Sequence, residues 1–121
     1  MELNLRNYAH IGDAVWEVFV RERVIYKTQN SKVMHKLTIE KVNGEYQGEL
    51  LKKLENFLTD EEKELVRRAK NIPTSSARKI SHAVHSSATA FEVLIGYNYI
   101  SNKKRLEDIY SAIEKLTVEE C

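Results

Sequence analysis

The chain predicts a single all-α domain, about six or seven helices around a central buried helix. Three observations carry this expectation. Apolar residues recur at helical spacing along most of the sequence. The 121 residues include one proline and four glycines, too few turn formers for a loop-rich or all-β domain. One stretch, from about Ser81 or Ser86 to Ile100, is apolar nearly all round, as the middle helix of a bundle would be.

The first helix is expected from about Asn7 to Tyr26. Tyr8, Ile11, Val15, Val18 and Phe19 fall on one face, and Arg6, His10, Asp13, Glu17 and Arg21 on the opposite one. Ser31 can cap a second helix reaching about Val42, with Val33, Leu37 and Val42 inward. Gly44 punctuates, and a third helix follows from about Glu45 to Phe57 on Leu50, Leu51, Leu54 and Phe57. Thr59-Asp60-Glu61-Glu62 has the capping-box pattern, so a fourth helix starts there. It ends near Lys70, because Asn71-Ile72-Pro73-Thr74-Ser75-Ser76 is loop chemistry. The central helix comes next. Asn102 can cap a last helix on Leu106, Ile109, Ile113 and Leu116.

Length and composition bound the function. Residues 1–121 suffice for one compact domain and not for two ordinary ones. Apolar residues make up 42%, enough for a core. The 19 basic and 18 acidic residues give a net charge of +1, which leaves nucleic-acid binding open, since distribution matters more than sum. The single cysteine, Cys121, allows no disulfide within the chain and fits a reducing cytoplasm. Met1 to Arg6 lacks the apolar region of a secretory signal, and no run approaches the roughly 20 apolar residues of a membrane span.

Two carboxylates stand out against this background. Asp13 and Glu92 each lie in a mainly apolar helical segment, and Glu92 is the only acid between Glu64 and Glu107. An ionised carboxylate in such a place needs a cation or a metal. Gly12 and Gly96 sit inside these helices, where glycine costs about 1 kcal/mol relative to alanine. Close helix approach explains both glycines and would bring Asp13 beside Glu92. Ala88, Thr89 and Gly96, the small neighbours of Glu92 one turn away, leave a recess around it. Such a pair suits Mg²⁺, which takes one or two protein carboxylates and keeps several waters. Glu17, one turn beyond Asp13, is a possible additional acid, though a solvated i,i+4 partner of Arg21 accounts for it equally well. Glu92 paired with an arginine is the structural alternative. His10, His82 and His85 form no metal-ligand motif and read as surface or loop-edge histidines. Tyr97 and Tyr99 read as core.

The second signal is electrostatic. Between Leu65 and Phe91 lie five basic residues, Arg67, Arg68, Lys70, Arg78 and Lys79, and no acid. Serines, threonines and an asparagine among them can hydrogen-bond phosphate oxygens. A basic loop beside a metal site is what a nuclease needs. A solvated loop is the plain alternative.

These motifs resemble the ribonuclease III family. Ile11-Gly12-Asp13-Ala14-Val15 is similar to its signature helix, and Phe91-Glu92-Val93-Leu94-Ile95-Gly96 to its second metal-binding helix. The likeness is closer to Mini-ribonuclease III, the short bacterial branch without a double-stranded RNA-binding domain. Its Ala-Tyr-Ile-Gly-Asp-Ala-Val-Tyr-Glu compares with Ala9-His10-Ile11-Gly12-Asp13-Ala14-Val15-Trp16-Glu17. Its Ser-Thr-Gly-Phe-Glu-Ala-Leu-Ile-Gly-Tyr compares with Ala88 to Tyr97. Arg67-Arg68-Ala69-Lys70-Asn71 resembles its basic segment.

The resemblance implies a homodimeric, Mg²⁺-dependent endoribonuclease acting on double-stranded RNA, typically a stem in the 23S rRNA precursor. It gives Asp13 and Glu92 the metal-binding, catalytic roles. Longer family members carry glutamate where this chain has Ala9 and aspartate where it has Thr89. The short branch shares both absences, so the four-carboxylate, two-metal arrangement is incomplete here. Glu17 or Glu45 is left as a further acid. From Ile72 to Lys79 the chain is poorer in glycine than the branch usually is. The rival reading is a helical RNA-binding or ribosome-associated protein that keeps the fold without the chemistry. The intact Asp13/Glu92 pair argues against it, since a pure binder gains nothing from acids facing phosphate.

Overall fold

The computed structural model describes residues 3–73 and 82–118. These form six α-helices and one 3₁₀ turn, with no strand among the described residues. The helices are α1 (Leu5–Val24), α2 (Ser31–Val42), α3 (Gly44–Lys53), α4 (Asp60–Lys70), α5 (His82–Ser101) and α6 (Lys103–Leu116). The 3₁₀ turn, Glu55–Phe57, joins α3 to α4.

Caps set most of the boundaries. Asn4, Asn30, Asn43 and Asn102 each accept a backbone N–H of the helix that follows, starting α1, α2, α3 and α6. Thr59 caps α4 reciprocally: its hydroxyl accepts from Glu62 N at 3.1 Å, while the Glu62 carboxylate accepts from Thr59 N at 2.9 Å. Thus Ser31 is the first residue of α2 rather than its cap, because Asn30 offers the better acceptor.

α5 is the axis of the domain. Ala90, Phe91, Val93, Leu94 and Ile95 are all fully buried, so this helix is enclosed on nearly every side. α1, α3, α4 and α6 pack around it. Trp16 lies in the core, stacked on Phe19 with ring centroids 4.8 Å apart and edge-on to Phe91 at 4.9 Å. Its indole N–H donates to Lys41 O at 2.8 Å and ties α1 to the end of α2. Trp16 and Phe19 are therefore core residues. Tyr99 packs against the core, as expected, while Tyr97 is half-buried and meets Tyr8 edge to face at 5.3 Å.

Four apolar positions depart from the expected faces, and one of them is Leu116, exposed at the last residue of α6. Val18 is 56% exposed, because the buried stripe of α1 runs through Gly12, Trp16, Phe19, Val20 and Val24. Val33 is exposed at the open end of α2. Phe57 leaves the third helix altogether, in the 3₁₀ turn, where its ring carries the Arg105 guanidinium at 4.5 Å. α1 also ends two residues early, leaving Tyr26 in solvent.

A buried ion pair locks the other side of the bundle. Glu62, already in the capping box, accepts from Arg105 Nη2 at 2.7 Å and Nε at 3.0 Å. Arg105 also donates to Phe57 O at 3.0 Å. Burial works to raise the Glu62 carboxyl, but the hydrogen bonds and charge of Arg105 and Thr59 prevail and hold it below its ordinary value. Among the described residues the buried acid paired with an arginine is Glu62 and not Glu92.

Candidate active site

α1 and α5 cross in backbone contact at two glycines. A Cβ on Gly12 would overlap the Glu92 carbonyl, and a Cβ on Gly96 would overlap the Tyr8 carbonyl. Only hydrogen fits at either position. The approach leaves Asp13, next to Gly12, facing Glu92, four residues before Gly96.

Glu92 is half-buried and Asp13 exposed, and the Asp13 carboxyl lies within hydrogen-bonding reach of Glu92. Two carboxyls can share such a bond only if one keeps its proton. Burial first, then the hydrogen bond and negative charge of Asp13, push the Glu92 carboxyl up to about 8. At neutral pH and without a cation, Glu92 keeps its proton and can offer it to Asp13. Among the described residues no lysine or arginine forms an ion pair with either acid.

This donor set fits a hard divalent cation. It offers two oxygen-rich groups, one in a recess, whose mutual repulsion either a proton or a metal can relieve. Among the described residues no group of three or more His, Cys, Asp or Glu side chains converges, so other ligands would be water or substrate oxygens. Glu17 does not join the pair. It forms an exposed i,i+4 ion pair with Arg21 at 2.8 Å, the plainer of its two readings. Glu45 is exposed in the first turn of α3. His10, His82 and His85 are exposed, and His82 lies 3.4 Å from the Ser86 hydroxyl.

The raised Glu92 value has a testable sign. The folded chain holds this proton more tightly than the unfolded one, whose value is near 4.5. The stabilisation is complete below that value and is lost as pH rises to about 8. A cation must displace the same proton. Mg²⁺ should therefore raise the melting temperature little at pH 5 and clearly at pH 8.5, relative to EDTA, in thermal melts. An Mg²⁺ effect independent of pH would place the cation elsewhere.

The basic tract divides. Arg67, Arg68 and Lys70 stand exposed in the last turn of α4. Arg67 donates two hydrogen bonds to Glu64 on its own helix, an exposed pair worth little and easily exchanged for phosphate. Arg78 and Lys79 lie outside the described residues. Sequence reasoning missed Lys63 and Lys52. Lys63, Arg67 and Lys70, at i, i+4 and i+7, wall one side of a groove of about 770 Å³ between α3, α4 and the start of α5, and Lys52 and Glu45 border it too. The spacing on α4 was the available signal, masked by Glu64 and by the acids of the first turn, Asp60, Glu61 and Glu62.

Comparisons with known proteins place the chain in a family. The ribonuclease III domain family matches residues 6–103. A Mini-ribonuclease 3 from Synechocystis sp. is 35% identical over 106 residues, covering 88% of this chain and 74% of the relative. One from Clostridium tetani is 34% identical over 119 residues, covering 95% and 79%. A protein of Fusobacterium nucleatum solved by X-ray crystallography superposes with a TM-score of 0.82 at 34% identity, covering 94% of this chain and 91% of that one. The chain is thus a ribonuclease, and it belongs to the ribonuclease III family, in its Mini-ribonuclease 3 branch.

Proposed function

We propose that this enzyme is a Mg²⁺-dependent endoribonuclease that cuts double-stranded RNA as a homodimer, with a stem of the 23S rRNA precursor as its substrate in the cytoplasm. The observation that supports this most is the meeting of Asp13 and Glu92 across the glycine crossing of α1 and α5.

Asp13 and Glu92 would hold the ion. When bound, Mg²⁺ supplies a coordinated water of lowered pKa and neutralises charge on the scissile phosphate. The chain's own contribution is binding and order. Glu92 gives up the proton it shares with Asp13, leaving two carboxylates. Arg67, Arg68 and Lys70 take the RNA backbone, with Arg67 exchanging Glu64 for phosphate. No described side chain need act as nucleophile. A two-fold dimer matches the local symmetry of a duplex and provides one acid pair per strand.

The test is cleavage of a 23S precursor stem and an unrelated duplex, each strand end-labelled, in Mg²⁺ or EDTA, with light scattering for mass. The proposal expects both strands cut, only with Mg²⁺, by a dimer, and the precursor stem preferred. Binding without cleavage would favour the non-catalytic RNA-binding reading. A monomer nicking one strand would remove the dimer.

Neutralising Arg67, Arg68 and Lys70 together should weaken RNA binding and flatten its salt dependence. The slope of log K against log salt should fall by about one for each phosphate no longer neutralised. Filter binding across a salt series reads this. An unchanged slope would make the tract a solvated surface.

A further inference from the structure

The exit of α4 is fastened in three steps. Asn71 closes the helix: its backbone N–H donates to Arg68 O at 3.1 Å and its side-chain amide to Arg67 O at 3.2 Å. Ile72 donates to Ala69 O at 3.2 Å and packs its side chain against the core. Pro73 then presents a carbonyl that accepts from Arg6 Nη2 at 2.9 Å, across 67 positions of sequence.

That last bond joins the two halves of the site. Arg6, His10 and Asp13 lie at i, i+4 and i+7 on one face of α1. Arg67, Arg68 and Lys70 occupy the turn just before the captured carbonyl. Arg6 is exposed, and among the described residues no carboxylate pairs with it. Its guanidinium is used on a main-chain acceptor beyond a helix C-terminus, where a cation is also favoured by the helix dipole. We infer that Arg6 is a positioning residue for RNA cleavage, holding the basic last turn of α4 in fixed register with Asp13 on α1. Phosphates gripped by α4 then sit at a set distance from the phosphate at the acid pair, and Arg6 itself touches no RNA. This rests on the RNA-cleaving function proposed above.

The experiment compares R6A, R6K and R6Q on a duplex cut at a mapped site. Lysine keeps a charged donor of nearly the same reach, while the glutamine amide ends where the Arg6 Nε lies, short of the Nη2 that binds Pro73 O. R6A should raise KM about two- to tenfold, the range of one missing hydrogen bond, leave kcat within twofold, and spread the cuts over neighbouring phosphates. R6Q should do the same, R6K should recover the single cut site, and the salt slope should stay that of the wild type in all three. If instead both neutral variants lower the salt slope by about one, Arg6 contacts phosphate directly and the inference is overturned. Hydrogen exchange without RNA separates the two proposals. The Asn71 and Ile72 amides should exchange faster in R6A and R6Q and not in R6K. Faster exchange with no duplex cleavage by the wild type would sink the RNA-cleaving reading and leave the tether standing. Unchanged exchange in R6A would sink the tether alone.

Discussion

Asp13→Asn and Glu92→Gln should each lower RNA cleavage by more than about 100-fold while leaving RNA binding nearly intact. Loss of groups that merely orient a metal ligand costs 10- to 100-fold, so loss of the ligand charge itself should exceed that. The amides keep the shape of the acids and lose what holds a cation. Stability should move the other way for Glu92. In EDTA at a pH above about 8, the wild type carries two ionised carboxylates in contact, one of them half-buried. Glu92→Gln removes that repulsion, so its melting temperature should rise in those conditions and its melts should lose their pH dependence between about 4.5 and 8. An active site held at the expense of stability has this signature, inactive yet more stable. A Glu92→Gln protein that cuts at near wild-type rate in saturating Mg²⁺ would refute the site assignment.

Much of this was legible because local chemistry and packing agreed. The capping box at Thr59 and Glu62 is a signal written within four residues, and α4 starts there. The run from Phe91 to Ile95, apolar but for Glu92, has no broad polar face to offer solvent, so it had to be central. The glycines at 12 and 96 were read as a helix crossing because nothing else explains glycine in two helix interiors.

What stayed hidden needed the partner across space. Periodicity gives a helix a face but not the width of what covers it, so Val18 reads as core although the buried stripe of α1 runs through Trp16, Phe19 and Val20 instead. Glu62 reads as a cap and nothing more, since Arg105 arrives from α6, 43 positions later. Glu92 announces a need for a partner, and sequence alone cannot choose between an arginine and an acid sharing a cation. The fold answers by placing its buried arginine at Glu62, leaving Glu92 to Asp13. Arg6 is the sharpest case, since a side chain bound to a main-chain carbonyl has no pattern in sequence at all.

Gly12→Ala and Gly96→Ala should be the most destabilising small substitutions in the chain, by at least about 3 kcal/mol each, the upper end of ordinary overpacking. In both, the new methyl meets a carbonyl of the facing helix, and no rotamer change moves a backbone. The helices must separate instead, which opens the packing of α1 on α5 and draws Asp13 from Glu92. A shift of about 1 Å at an active site can cost about 100-fold in rate. Any folded Gly12→Ala protein should therefore be both unstable and nearly inactive. Gly48→Ala is the control. Its Cβ would lie 3.2 Å from the Ser87 Cβ, side chain against side chain, which a shift of a few tenths of an ångström relieves. Helix propensity returns about 1 kcal/mol at this position, so its net effect should be near zero. Urea melts of the three variants would show the order. If Gly12→Ala melts like Gly48→Ala, the two helices do not touch at these glycines, and the pairing of Asp13 with Glu92 loses its structural cause.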